Sequence, residues 1–480
     1  MPEIRLIGLD FGSTTTSGVV ARANARGGAD RASEFTDLTI EHRSEPVFTP
    51  FDGESLDPPR LADWLDQWMR AAGISGQQVA AGGAIVTGLA AKADNAGIVR
   101  RLVHERFGET LIATADDPAL ESWLAFMANA RDLSLVEPDR WFLNLDIGGG
   151  TTNVALGKAG GVERVGCYAI GARHLQFEAG TLRITRLSAI GRRLLDGLNI
   201  VRQPGDLLAD GELNSLLEFH VDALASIVCG RPGQSLGVAT DFLEQVPYDS
   251  PADAAPVVTF SGGVGELIYQ IARSGARPAT TAYGDLGGEL AWRIAQSPKL
   301  SGNVTSHAPL AQGRATVLGL AIHHVQLCGG TFYLPRPGIL PLVDLPVVGR
   351  LTEDASDEQI DAALRLARRG DRGACLAIEI NDVRAASIRS LGQRLAERLD
   401  GGGFPLDRAL VILLNRNVGK TLGSYATRWG RLAVTLVVLD ELPDRGAAFV
   451  TLGKPAGQLV PVSFYGVAGS EDHARARAMR

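Results

Sequence analysis

Hydrophobic and polar positions recur along the chain with two different periods, and the switches between them predict its elements. Ile4–Leu9 is a short apolar run that reads as a buried strand. It is followed by the small, hydroxylated turn Asp10-Phe11-Gly12-Ser13-Thr14-Thr15-Thr16 and by a second strand at Ser17–Ala23. The same plan returns as Trp141–Leu145, then Asp146-Ile147-Gly148-Gly149-Gly150-Thr151-Thr152, then Asn153–Lys158. The two aspartates stand 136 positions apart, a domain-scale spacing that predicts two related α/β units facing each other.

Between the hairpins the pattern predicts helices at Pro59–Ala72, Asn95–Phe107 and Pro118–Asn129, with strands at Gly83–Thr87 and Thr110–Ala113. After the second hairpin it predicts a strand at Val162–Ala169 and a helix around Leu187–Leu195. A polar loop from Arg231 to Pro256 leads to strand Val257–Ser261 and helices Glu266–Arg273 and Arg314–Gln326. From about Thr331 the chain turns Pro-rich and strand-forming. Cys375–Ile380, Val383–Leu399, Ala409–Leu414, Lys420–Trp429 and Ala433–Leu439 then alternate as strand, helix, strand, helix, strand. The expected division is therefore 1–138, 139–330 and a third α/β module at 331–469, with a polar tail at 470–480.

Composition narrows the class. A chain of 480 residues exceeds the roughly 250–300 that one core serves, in keeping with several domains. A net charge of −7 supplies no basic field for nucleic acid or anionic lipid. Apolar runs such as Ala433–Leu439 fall well short of the roughly 20 residues of a membrane helix. The start of the chain leaves no room for a signal peptide before Asp10, and Cys167, Cys229, Cys328 and Cys375 form no C-x-x-C pair. The expectation is a cytoplasmic protein with neither nucleic acid nor membrane as partner. Glycine, at 57 residues, is well above its usual share of about 7% and gathers at strand ends, where a backbone can approach a ligand closely.

The two D-x-G turns carry the candidate chemistry. Small residues at a strand–strand turn leave backbone N–H groups free to form a nest for phosphate oxygens. Gly12, Ser13, Thr14 and Thr15 would form one such nest, and Gly148, Gly149, Gly150 and Thr151 the other. A carboxylate beside a nest suits a Mg²⁺ ion that neutralises a polyphosphate, which makes Asp10 and Asp146 candidate metal ligands. Strand Val257–Ser261 runs into Gly262-Gly263-Val264-Gly265 and a helix. With Ile268 at the third glycine of a dinucleotide fingerprint, Gly262 and Gly263 read better as a place for a nucleoside to lie against a helix start. Three look-alikes are set aside. Gly419-Lys420-Thr421 ends like a P-loop, but Leu414 stands where its first glycine belongs. His323 and His324 are adjacent rather than four apart, and Ser261 lacks a nucleophile elbow.

The order of these motifs resembles the actin, Hsp70 and sugar-kinase ATPase superfamily. That likeness implies an α/β fold of duplicated actin/Hsp70-like (ribonuclease H-like) ATPase domains, here with an additional C-terminal α/β module. It also implies ATP with Mg²⁺, a catalytic role for Asp10 and Asp146, and an acidic residue near the attacking water, for which Glu121 is the candidate. Arg314–Ala321 matches the superfamily's last connecting helix. More narrowly, Pro46–Pro50, Thr87-Gly88 with Ala91-Lys92, Asn144–Thr151, Tyr283–Gly287 and Arg314–Gly319 resemble the reactivating factors of ethanolamine ammonia-lyase, over nearly the whole chain. This resemblance implies an ATP-dependent chaperone that helps the lyase, its partner, exchange damaged cobalamin for adenosylcobalamin. A small-molecule kinase and a nucleotide-controlled scaffold are the alternatives on the same fold. Homo-oligomerisation and entry into a bacterial microcompartment stay open.

Overall fold

The computed structural model describes residues 3–467 except 13–14, 29–30, 46, 53–54, 88–89, 91–92, 109–110, 116–117, 231–233, 236–237, 249–254, 310–315, 318, 320–324, 330–331, 370–372, 403, 405–406, 443–445, 454 and 456–458. Ser13, Thr14, Gly88, Ala91, Lys92, Arg314, Ala315, His323, His324 and the tail 470–480 thus lie outside the described residues.

Three sheets organise the chain. The first contains β1 (Glu3–Phe11), β2 (Thr15–Gly28), β3 (Arg31–Arg43), β4 (Val79–Val86) and β5 (Leu111–Ala115), in the order β3-β2-β1-β4-β5. Strands β1 and β2 form an antiparallel hairpin, while β4 runs parallel to β1. The second contains β6 (Phe142–Ile147), β7 (Thr152–Lys158), β8 (Gly161–Tyr168), β9 (Glu244–Val246) and β10 (Val257–Ser261), in the order β9-β8-β7-β6-β10. Here too the first two strands form a hairpin and a later strand, β10, lies parallel to the first. The repeat read from two turns is therefore a repeat of topology.

Period-2 alternation assigns the two faces of the second sheet. Leu143, Leu145, Ile147, Val154, Leu156 and Phe260 enter the large core of this unit, against helices α4 (Asp210–Val228), α5 (Gly262–Ser274) and α6 (Gly287–Ala295). Phe142, Asn144, Asp146, Asn153, Ala155, Thr259 and Ser261 occupy the opposite face. Helix α3 (Pro118–Asn129) covers that face, with Phe126 packed on Phe142, Ala155 and Val257. The first sheet has its own core, where Ile7, Leu9 and Phe11 meet Leu61, Leu65 and Trp68 of helix α1 (Pro58–Ala71) and Val103 and Phe107 of helix α2 (Gly97–Phe107).

The third sheet contains β11 (Val325–Gly329), β12 (Leu342–Thr352), β13 (Gly373–Glu379), β14 (Ala409–Leu414), β15 (Thr435–Leu439), β16 (Ala447–Leu452) and β17 (Leu459–Val467), in the order β11-β17-β16-β12-β13-β14-β15. Strands β12 to β15 are parallel and linked by helices α7 (Asp357–Ala367), α8 (Ala385–Gly402) and α9 (Gly419–Ala426). This is the α/β alternation expected of the module. A cavity of about 380 Å³ opens beside the carboxyl ends of these strands, lined by Val347, Arg350, Ile378, Glu379, Asn415 and Phe464.

The structure departs from the pattern reading where long-range pairing decides. Ser17–Ala23 is only the middle of β2, which extends with β3 into a long antiparallel ribbon. The segment read as the end of helix Arg314–Gln326 is strand from Val325 onward, because it pairs with β17 more than a hundred residues away. Helix α4 (Asp210–Val228) is an element the pattern reading does not predict, although its buried Leu213, Leu216, Leu217, Leu224 and Ile227 follow helical spacing. Short strands at Gln234–Ser235, Val238–Ala239 and β9 interrupt the stretch expected to be loop. The look-alike at Gly419 is also explained. The Gly419 amide, at the start of α9, donates to Asp440 Oδ2 at 3.0 Å, so the chain's own carboxylate takes the anion position there.

Candidate functional site

The two turns close identically. Gly12 N donates to Thr15 O at 3.0 Å and Gly148 N to Thr151 O at 2.9 Å. In the first hairpin Asp10 faces Ser17 across the strands, and in the second Asp146 faces Asn153, again 136 positions on. Thr49 backs the first turn, its hydroxyl donating to Gly12 O at 2.8 Å. The segment after Gly171 backs the second. Ala172 N, Arg173 N and His174 Nε2 meet the carbonyls of Gly148, Gly149 and Gly150 at 3.1, 2.6 and 2.8 Å. Three carbonyls are thus engaged from one side of the turn.

Asp10, Glu121 and Asp146 converge at these strand ends, within electrostatic reach of one another. The Asp10 carboxyl is pushed up to about 7, first by burial and then by the charge of Asp146. Glu121 is held well above the carboxylate range by burial, then by Asp10 and Asp146; hydrogen bonds from Asn153 and Thr87 oppose the rise. Asp146 is also raised by burial, against hydrogen bonds from Ser261, Thr316 and Asn153. Burial raises all three carboxyls, and neighbouring acids add to the rise of Asp10 and Glu121, so positive charge placed among them would be stabilised. Two buried acceptors support this: Asp10 Oδ1 and Asn153 Oδ1 have no hydrogen-bond partner. Among the described residues no three carboxylate, imidazole or thiol groups stand close enough to enclose a bare ion. The carboxylate oxygens and the unpartnered Asp10 Oδ1 have the chemistry of ligands to a hard cation.

A polar ladder that sequence reasoning missed holds this cluster. Ser261 Oγ donates to Asp146 Oδ1 at 2.6 Å, and Asn144 Nδ2 donates to Ser261 Oγ at 2.9 Å. Thr259 Oγ1 and Asn129 Nδ2 donate to Asn144 Oδ1 at 3.0 and 2.6 Å. Asn129 and Glu121 lie eight residues apart on α3, about 12 Å along one helix stripe, so the same helix serves both ends of the ladder. Ser122 anchors that helix start by donating to Gly166 O at 2.9 Å. The signal was present as polar residues at alternate positions of β6 and β10, both otherwise apolar strands. Ser261→Ala is expected to cost about 2 kcal/mol in metal-free protein at pH 8, because a buried carboxylate loses a charge-assisted donor. The cost should shrink at pH 5, where the raised Asp146 is more protonated. Urea denaturation with EDTA at both pH values measures it.

Thr316 and Gly319 reach this cluster and α3 as well. Thr316 Oγ1 donates to Asp146 Oδ2 at 3.4 Å, and a Cβ at Gly319 would stand 2.5 Å from Leu124 O. The close approach at this point uses Gly319. Gly262 takes φ +77°, and a Cβ there would stand 2.5 Å from Ile147 O. Its lack of a side chain is accounted for by packing against β6, whereas Gly263 faces open space. Gly262→Ala is expected to lose about 2 kcal/mol or more of stability, read from the denaturant midpoint.

Two copies of one strand–turn–strand unit, with their end aspartates brought to one acidic cluster, define the actin/Hsp70-like ATPase fold class. Within it, the chain matches the family described as ethanolamine utilisation protein EutA over residues 2–468, and it belongs to that family. It is similar to the ethanolamine ammonia-lyase reactivase EutA of Salmonella typhimurium, 29% identical over 96% of this chain and 97% of that protein. The reactivase of the same name from Escherichia coli is 28% identical, again over 96% and 97%. Among solved structures it is similar to the Aquifex aeolicus PPX-GPPA enzyme, 18% identical over 58% of this chain and 74% of that one, with a TM-score of 0.35. No helix among the described residues is long and apolar enough to cross a membrane.

Proposed function

We propose that this protein is an ATP-dependent reactivating chaperone for ethanolamine ammonia-lyase, promoting exchange of damaged cobalamin for adenosylcobalamin. The observation that carries the nucleotide part is the meeting of Asp10, Glu121 and Asp146 between two identically closed turns. Family membership supports the choice of partner.

In this reading the amides of Gly149, Gly150 and Thr151, left over once the turn's carbonyls are engaged, meet phosphate oxygens, as do those of the turn Gly12–Thr15. Asp10 and Asp146 hold Mg²⁺ and its waters, and the ion, when bound, neutralises the polyphosphate. Glu121, carried on α3 and steadied by Asn153 and Thr87, orients the water that attacks the terminal phosphoryl group. The nucleoside lies against the start of α5 near Gly263, with Gly262 shaping the backbone there. Phosphoryl transfer needs mostly positioning and charge neutralisation, which these groups supply. Closure of the two units on ATP changes the surface offered to the lyase in proportion to the nucleotide's differential affinity for the two states. The third module is the surface proposed for that contact.

The direct test is recovery of activity from cyanocobalamin-inactivated ethanolamine ammonia-lyase with this protein, MgATP and adenosylcobalamin. Recovery that requires both protein and ATP is expected. No recovery from a cognate lyase, with ATP binding intact, would remove the chaperone reading and leave the kinase alternative, recognisable by acceptor-dependent ADP release.

A further inference from the structure

One side chain joins the two turns across the space between the first and second units. Phe48 is the cross-strand partner of Thr15, the last residue of the first turn, and its neighbour Thr49 donates to Gly12 O. On the other side, the Arg173 amide donates to Gly149 O in the second turn at 2.6 Å. The Arg173 guanidinium carbon stands 5.3 Å from the centroid of the Phe48 ring. Its Nε is 3.3 Å from Asp285 Oδ2, an ion-pair distance without hydrogen-bond geometry, and Asp285 is itself fixed by the Gly287 amide at 2.9 Å. Phe48 is 66% exposed, a large ring left mostly in water at the point where the first turn is braced.

We propose that Arg173 is a positioning residue, a clasp that holds the two turns in register through its main-chain bond to Gly149 and its guanidinium on Phe48. Its consequence for nucleotide binding rests on the function proposed above, but its existence does not. Arginine suits this place because a planar guanidinium offers a face to an aromatic ring and an edge to a carboxylate at once, which an ammonium cannot do. Asp285 holds the guanidinium nearby by charge, and the guanidinium meets the ring only while the first turn stays where Thr15 and Phe48 hold it. Breaking the clasp lowers the fraction of molecules with both turns aligned, and a ligand that needs both binds more weakly by that fraction.

Hydrogen exchange in nucleotide-free protein tests the clasp itself. Phe48→Ala, a change in the first unit at a mostly exposed ring, is expected to speed exchange of the Ala172 and Arg173 amides in the second unit about three- to tenfold. Phe48→Tyr, which keeps the ring, should restore the wild-type rate. MgATP binding tests the consequence: Phe48→Ala and Arg173→Met should each weaken affinity by a similar factor, and the double variant no further than Arg173→Met alone. Exchange indifferent to Phe48→Ala would overturn the proposal. So would additive losses of affinity, since independent residues form no clasp. Exchange that responds in a protein unable to bind MgATP would uphold the clasp and overturn the nucleotide reading instead.

Discussion

Asp10→Asn is expected to abolish Mg²⁺-dependent nucleotide turnover while making the metal-free protein more stable at pH 8. Both effects have one cause. Burial and the charge of Asp146 push the Asp10 carboxyl up to about 7 from an ordinary 3.8, and its Oδ1 has no hydrogen-bond partner to repay the desolvation. Between those two values the folded protein binds more protons than the unfolded chain, so stability falls as pH rises from about 4 to about 7 and then levels off. A shift of this size corresponds to a loss on the order of 4 kcal/mol across that window. Asparagine has no charge to bury, so the variant should match wild type near pH 4 and exceed it at pH 8. Urea midpoints in EDTA, beside phosphate release with Mg²⁺ and ATP, measure both halves. A variant that is less stable at pH 8, or that keeps its turnover, would show that Asp10 is an ordinary structural carboxylate. Asp146→Ala should also lose turnover, but with lower stability, since it leaves the buried hydroxyls of Ser261 and Thr316 without their acceptor. The two aspartates look equivalent in the repeat, and their hydrogen bonding makes them different.

Glu121→Gln should separate turnover from binding. The side chain lies half-buried beside Asp10 and Asp146 and takes hydrogen bonds from Asn153 and Thr87, so an isosteric amide keeps the packing and removes the charge that orients water. kcat is expected to fall by about a hundredfold or more, while affinity for MgATP stays within about threefold. Because burial and two neighbouring acids raise Glu121, wild-type turnover should climb with pH as the carboxylate ionises, and the variant's residual turnover should not. Single-turnover kinetics over a pH series, together with equilibrium binding, check both points. Unchanged kcat in Glu121→Gln would return this residue to the role of a half-buried helix carboxylate.

The two hairpin turns, the strand–glycine–helix segment at Val257–Gly265 and the α/β alternation of the third module were legible in the sequence because each is local. A strand, a tight turn and a helix start are specified by residues within a few positions of one another, and a duplicated unit repeats those specifications at a fixed offset. The same locality made Asp10 and Asp146 visible, since an acid at a strand end beside a glycine turn is a pattern in its own right. Glu121 was reached only through the resemblance of the motif order, as nothing around Pro118–Ser122 distinguishes it from a solvated helix acid.

Tertiary structure alone decided the rest. Ser261, Asn144, Thr259, Asn129 and Thr316 form one polar support because parallel register sets β10 beside β6 and α3 crosses both, although these residues span nearly two hundred positions. The end of the predicted helix at Gln326 became strand because β17 offered it a free edge. Phe48 and Arg173 meet only when the segments carrying the first and second turns come together. The sequence by itself determined the repeated elements and the acids at their ends, through short-range sterics and periodicity. Which groups share charge, hydrogen bonds and contact was left to long-range packing, where the desolvation that raises the three carboxyls first arises.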